Sequence, residues 1–285
     1  GLHRALAAAD ADVYFAMSAG AATGQTAWFC RGAGRGFVFG TASDTDVVPE
    51  AIRLGWRDKQ LYRWGLRNAD RIITQHRGQA ALLKEHTGLD SVPIGMPTPI
   101  PELPGRPESP PLVLWLGNYR AVKNPQAFLE LAGVFPQARF VMVGGPVAGE
   151  RALFDAVRAE AEALPNVSFL GLVDDPAQYL FRATVLLNTS SVEGFPTTFL
   201  EAWGHAVPTV SYFDPGGIVH EEEIGLVADT PEELRAALGR VLQDRELRDR
   251  LGARARAYVE REHSREVATA RFEAELLEAA RAQGR

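Results

Sequence analysis

The residues with the clearest chemical reach lie in the run Ser190-Ser191-Val192-Glu193-Gly194-Phe195-Pro196-Thr197-Thr198-Phe199-Leu200-Glu201. Just before it, Ala183 to Asn188 is apolar and partly β-branched, which predicts a short buried strand. Pro196 suits the first position of a helix, where a missing N–H costs nothing, and a helix is expected over Pro196–His205. Phe195, at the cap position, has no side-chain oxygen to accept the amides of Thr197 and Thr198. A strand leading into a helix whose first N–H groups are unclaimed attracts an anion, so a phosphorylated ligand is the first expectation. Glu193 falls in the loop on the ligand side of the helix start. Glu201 sits about 7 Å along the helix axis at the usual rise per residue. Carboxylates so separated can bracket an elongated polar molecule, each taking two hydroxyls. A glutamate taken singly is usually just solvated; here the pair comes with a strand, a turn and an uncapped helix.

A second run, Leu114-Trp115-Leu116-Gly117-Asn118-Tyr119-Arg120-Ala121-Val122-Lys123-Asn124-Pro125, ends a strand at Gly117 and sets two cations three apart before a helix. At the carboxyl end of a strand, Arg120 and Lys123 suit a diphosphate: the guanidinium binds bidentately and the ammonium adds a compact charge. They could equally be two solvated loop cations. Val141-Met142-Val143-Gly144-Gly145-Pro146 adds a strand whose terminal glycines let a ligand approach the backbone, or simply make a tight turn.

These segments need a scaffold that brings strand ends together. The 285 residues are 46% hydrophobic, enough for a substantial core and two domains. A net charge of -6 argues against a nucleic-acid binder. The single cysteine, Cys30, excludes an internal disulfide and fits a reducing, cytoplasmic compartment. The six histidines show no metal-ligand spacing and read as surface or boundary residues. No apolar run reaches a membrane span and no signal peptide is visible. The chain opens on Gly1, which fits a fragment or a trimmed product.

The proline-rich stretch 97–111 reads as a semi-rigid connector. After it, strands at Val113–Leu116, Arg139–Val143, Val167–Leu170, Val185–Asn188 and Thr209–Tyr212 alternate with helices at Pro125–Val134, Glu150–Leu164, Pro176–Arg182 and Pro196–His205. That alternation predicts right-handed βαβ units and a parallel sheet covered on both faces, with ligands at the carboxyl ends of the strands. The N-terminal part reads as a thinner α/β unit: strands at Asp12–Ala16, Gly36–Thr41, Arg71–Thr74 and Ser91–Ile94, helices at Ala19–Arg31, Arg53–Asn68 and Gln75–His86. Beyond residue 230 only helices are expected, and Glu221-Glu222-Glu223 reads as a solvated helix face.

The Glu-Gly-Phe-Pro loop with a second glutamate eight positions on, the Gly…Arg-x-x-Lys segment, Val143-Gly144-Gly145 and Phe169-Leu170-Gly171 together resemble the retaining, nucleotide-sugar-dependent glycosyltransferases of family four. The match is good over about residues 112 to 230. The resemblance implies the GT-B fold: two Rossmann-like domains facing a cleft, an acceptor-side domain over 1–108 that looks incomplete, a donor domain over 109–263, and a helix over 264–285 returning to the first domain. It implies transfer of a sugar from a nucleoside diphosphate to an acceptor hydroxyl with retention, without a metal or other cofactor.

In similar enzymes the residues corresponding to Arg120 and Lys123 neutralise the diphosphate. Glu193 would contact the donor sugar and Glu201 the ribose hydroxyls. Gly117, Asn118, Gly144, Gly145, Gly194, Phe195, Pro196, Thr197 and Thr198 would line the donor, with Leu170 and Gly171 facing the base. The acceptor, whether glycan, lipid or small molecule, is left open, as is peripheral membrane contact. A donor-binding module without transferase activity is the alternative. The chain departs from the family where Asn118 follows the strand-end glycine in place of Arg. It also departs at 42–46, where members carry a histidine; Asp44 or Asp46 there could serve an acceptor hydroxyl or hold a turn.

Overall fold

The computed structural model describes every residue except Pro49, 104–108, Val192, Gln283 and Arg285. The chain divides into two compact units, Gly1–Pro97 with Arg265–Arg285, and Thr98–Ser264.

The first unit runs α1 (Leu2–Ala9), β1 (Val13–Met17), α2 (Ala21–Ala33), β2 (Gly36–Gly40), α3 (Trp56–Arg67), β3 (Arg71–Thr74), α4 (Arg77–Thr87) and β4 (Val92–Pro93). Its four strands lie side by side in chain order, all parallel. Right-handed crossovers in one direction put the connecting helices on one face, and the period-two pleat of β2 shows it. Phe37 and Phe39 join Tyr62, Leu66 and Leu83 from α3 and α4, while Val38 turns the other way, toward Ile73, Ile94 and Ala279.

In the second unit, β5 (Leu112–Leu116), α5 (Pro125–Val134), β6 (Arg139–Val143), α6 (Arg151–Glu162), β7 (Val167–Gly171), α7 (Ala177–Leu180) and β8 (Val185–Asn188) come first. Then follow α8 (Thr197–Gly204), β9 (Thr209–Ser211), α9 (Ile218–Glu221), β10 (Gly225–Val227), α10 (Pro231–Gln243) and α11 (Arg245–Glu262); α12 (Arg265–Ala282) closes the chain and belongs to the first unit. The parallel strand order is β10-β9-β8-β5-β6-β7. The chain builds outward from β5 to β7, returns to the other side of β5 and builds outward again. The continuous apolar run of β5 is what a strand covered on both faces requires. Val113 and Trp115 meet Phe128, Phe140 and Val185 on one side.

Several expectations are corrected. The proline stretch is not all free connector: Thr98 donates to the His263 carbonyl at 2.8 Å, and Arg256 donates to the Pro101 carbonyl at 2.9 Å. Its residues 104–108 lie outside the described residues. The Glu221–Glu223 run is exposed at Glu221 and Glu223, as expected, but only Glu221 is helical. The helix there ends at Glu221, Glu223 has φ 50°, and Glu222 and Glu223 pair with Arg261 and Arg254 of α11. The histidines are not all peripheral, since His76 and His263 are buried. Strand β10 and helix α1 were not anticipated.

Candidate active site

The reversal of strand order beside β5 decides where the site forms. Strands β5 and β8 are hydrogen-bonded neighbours, with Val113 opposite Val185 and Leu114 opposite Leu186. Their carboxyl ends therefore emerge side by side, at the one place where the crossovers diverge and leave a crevice. The loop after β5 carries Arg120 and Lys123; the loop after β8 carries Glu193.

Backbone and hydroxyl bonds stitch these loops together. Ser191 N–H donates to the Val122 carbonyl at 2.9 Å, the Thr189 hydroxyl to the Lys123 carbonyl at 2.7 Å, and the Trp115 indole to Thr189 Oγ1 at 3.2 Å. Lys123 itself sits in a single 3₁₀ turn, Ala121–Lys123, closed by its N–H on the Arg120 carbonyl at 2.9 Å. With its base fixed, its ammonium forms an ion pair with Glu193 Oε1. The same oxygen accepts from Ser190 Oγ at 2.6 Å and Asn188 Nδ2 at 3.2 Å. A buried carboxylate needs such partners, and this one, 10% exposed, has three. Asn188 and Ser190 were missed as supports of Glu193; a polar residue closing an otherwise apolar strand was the available signal. Arg120 is exposed and has no acidic partner among the described residues.

Glycines on neighbouring strand ends extend the ladder beyond the sheet. Gly117 N–H donates to Val143, Gly144 N–H to Gly171 and Tyr119 N–H to Gly145. Gly144 has φ 149°, and a Cβ there would overlap the Gly117 carbonyl oxygen. Both the backbone angle and the close approach require glycine. Asn118 is exposed; Leu170 is 39% exposed at the end of β7.

Helix α8 begins at Thr197, so Pro196 is its cap rather than its first residue, with φ -68° and ψ 117°. The extended ψ keeps Pro196 outside the helix. No side chain caps it, and the amides of Thr197 and Thr198 have no partner among the described residues. Phe195 is buried against Trp203 and His263, which fixes the turn at Gly194. Glu201 is half-buried, and its carboxylate has no hydrogen bond or ion pair to any described residue. Burial pushes its carboxyl above the ordinary range.

In the first unit, Asp46 accepts the amides of Ala19, Ala42 and Ser43 at 2.9, 2.7 and 3.1 Å, which makes it a turn residue. Asp44 instead lies 3.4 Å from His76 Nε2 and accepts from Gln79 Nε2 at 2.9 Å. The His76 hydrogen bond, outweighing burial, holds its carboxyl below the usual value.

Two all-parallel α/β units, the second with its strand order switching between β5 and β8, define a chain of the GT-B fold. Over 96% of its length it superposes on Anabaena HepE in complex with UDP, covering 81% of that chain at TM-score 0.81 and 16% identity. Sucrose-phosphate synthase from Thermosynechococcus elongatus matches at TM-score 0.77 and 21% identity, over 95% of this chain and 75% of that one. The chain belongs to the glycosyl transferases group 1 family, which it matches over residues 99–258. It is also 32% identical over 163 residues to the Xenopus tropicalis glycosyltransferase 1 domain-containing protein 1, a match covering 55% of this chain and 47% of that protein. It thus spans about half the length of that curated relative.

Proposed function

We propose that the protein is a retaining glycosyltransferase that takes a sugar from a nucleoside diphosphate donor. The observation that carries this reading is the ion pair of Lys123 and Glu193 at the switch point of the second sheet, with the uncapped helix α8 starting four residues after Glu193. The HepE structures containing UDP, and UDP with glucose, support the donor class. The diphosphate would sit between Arg120, Lys123 and the amides of Thr197 and Thr198. These charges and dipoles stand ready where negative charge develops as the sugar–phosphate bond breaks. No resident metal is needed in this scheme.

Glu193, held by Ser190 and Asn188, would orient the sugar, and Glu201 would grip the ribose. Gly117, Asn118, Gly144 and Gly145 would let the donor approach the backbone, beside Leu170 and Gly171 at the base. The acceptor oxygen attacks from the face the diphosphate leaves, and the departing phosphate oxygen takes its proton.

Calorimetric titration of UDP and GDP, followed by assays for sugar transfer and donor hydrolysis, tests the proposal. Lys123→Ala should lower turnover about 10²–10³-fold, the scale of losing one fixed oxyanion partner, and weaken nucleotide binding far less. Unchanged turnover removes Lys123 from the mechanism. Binding with neither reaction would make the chain a donor-binding module, and an inverted product anomer would exclude retention.

A further inference from the structure

The outer side of α3 carries a pattern that donor chemistry does not use. Tyr62, Gly65 and Leu66 are buried in the first unit. Trp56, Lys59, Arg63 and Arg67 recur at intervals of three and four and so form one stripe flanking that buried face, with Trp56 and Arg67 exposed and Lys59 and Arg63 half-buried. Trp56 is 75% exposed, an unusual place for so large a ring. Residues 53–67 hold five cations, Arg53, Arg57, Lys59, Arg63 and Arg67, and one acid, Asp58, in a chain whose net charge is -6.

Glu50 satisfies part of this charge: its carboxylate pairs with Arg63 at 2.8 Å and its carbonyl accepts from Lys59 at 3.4 Å. Arg53, Arg57 and Arg67 are exposed and have no acidic partner among the described residues. The adjacent helix α2 belongs to the same layer. A Cβ on Gly65 would lie 2.6 Å from the Gly24 Cα, so the two helices nearly touch. It adds Trp28, 61% exposed.

We infer that this helical face docks the protein on an anionic lipid surface, through the stripe led by Trp56 and its flanking arginines. Charge complementarity selects that occupant. Phosphate headgroups satisfy guanidinium groups that have no acidic partner among the described residues, while an exposed indole settles at the boundary between headgroups and acyl chains. A nucleic acid shares the phosphates but lacks the headgroup–acyl boundary at which an exposed indole settles. The inference stands independently of the donor chemistry.

The test is flotation of the full chain with vesicles of phosphatidylcholine alone and of phosphatidylcholine mixed with phosphatidylglycerol. Binding should require the anionic lipid and weaken with added salt. Arg53→Glu with Arg57→Glu should weaken it by at least about fivefold per cation removed. Trp56→Ala should also weaken it, and the exposed Arg250→Glu on α11 should not. Unchanged thermal midpoints would show that the variants fold. Failure to float with any vesicle, equal binding to neutral vesicles, or binding that survives these variants would overturn the inference. Tighter retention on polyuridylate, lost in the same variants, would also overturn it and assign the face to nucleic acid.

Discussion

Among the site residues, Glu201 differs from Glu193 in how its charge is kept. Glu193 has Lys123, Ser190 and Asn188; Glu201 has burial and no partner among the described residues, and its carboxyl is raised. The folded protein therefore holds the Glu201 proton more tightly than the unfolded chain does. Its contribution to stability is fully present below the ordinary glutamate range and is lost as pH rises through the raised value. At neutral pH the free protein carries an ionised, half-buried carboxylate at a cost, which ribose hydroxyls would offset. Glu201→Gln should accordingly raise the thermal midpoint of the free protein at neutral pH and leave it unchanged in acid. The same substitution should weaken UDP by about 10–100-fold, the worth of hydrogen bonds to a charged group. Scanning calorimetry at two pH values and a UDP titration check both signs. A midpoint that falls at neutral pH would show that the carboxylate already has a stabilising partner.

At the scale of elements, the most exacting position is the end of β6. Gly144 holds a backbone angle and an approach to Gly117 that no side chain tolerates. Gly144→Ala should destabilise the second unit by about 2 kcal/mol or more, and should weaken nucleotide binding because the loops after β5 and β6 share that contact. Denaturant unfolding with a UDP titration measures both. The elements themselves were largely legible. Arg71–Thr74, Arg139–Val143 and Val185–Asn188 were placed to the residue, because short β-branched runs bounded by turns leave little choice. Strand β10, three residues of Gly-Leu-Val, is too short to show periodicity, and α1 buries no residue that would mark a face. The strand ends that bear Lys123 and Glu193 were legible too. That both would face one donor was an expectation of the resemblance; their direct ion pair across 70 positions was not legible, because it depends on β8 returning to the side of β5, and sheet order leaves no local trace. Nor could residue types alone show that Asp46 is consumed by three amides while Asp44 faces His76.

For the whole molecule, the notable fact is that the first unit is not contiguous: its sheet is covered on one face by helices from residues 1–97 and on the other by α12. Val38, Ile73 and Ile94 are almost fully buried against Ala279, with Phe272 and Leu276 packed beside them. Arg71 adds ion pairs to Glu275 and Glu278 at 3.2 and 3.4 Å, but these are partly exposed and contribute little. Uncovering three such aliphatic side chains costs about 5–9 kcal/mol at the usual value for each, comparable to the whole stability of a domain. Removing residues 265–285 should therefore unfold the first unit while leaving the second, whose core lies within Thr98–Ser264. Hydrogen exchange would show amides of β1–β3 losing protection and those of β5, β6 and β8 keeping it. If the second unit binds nucleotide by itself, UDP should still raise the one remaining thermal transition, by linkage. Retained protection in β2 after the truncation would mean that the opposite helical layer alone holds the sheet, and that α12 is dispensable to it.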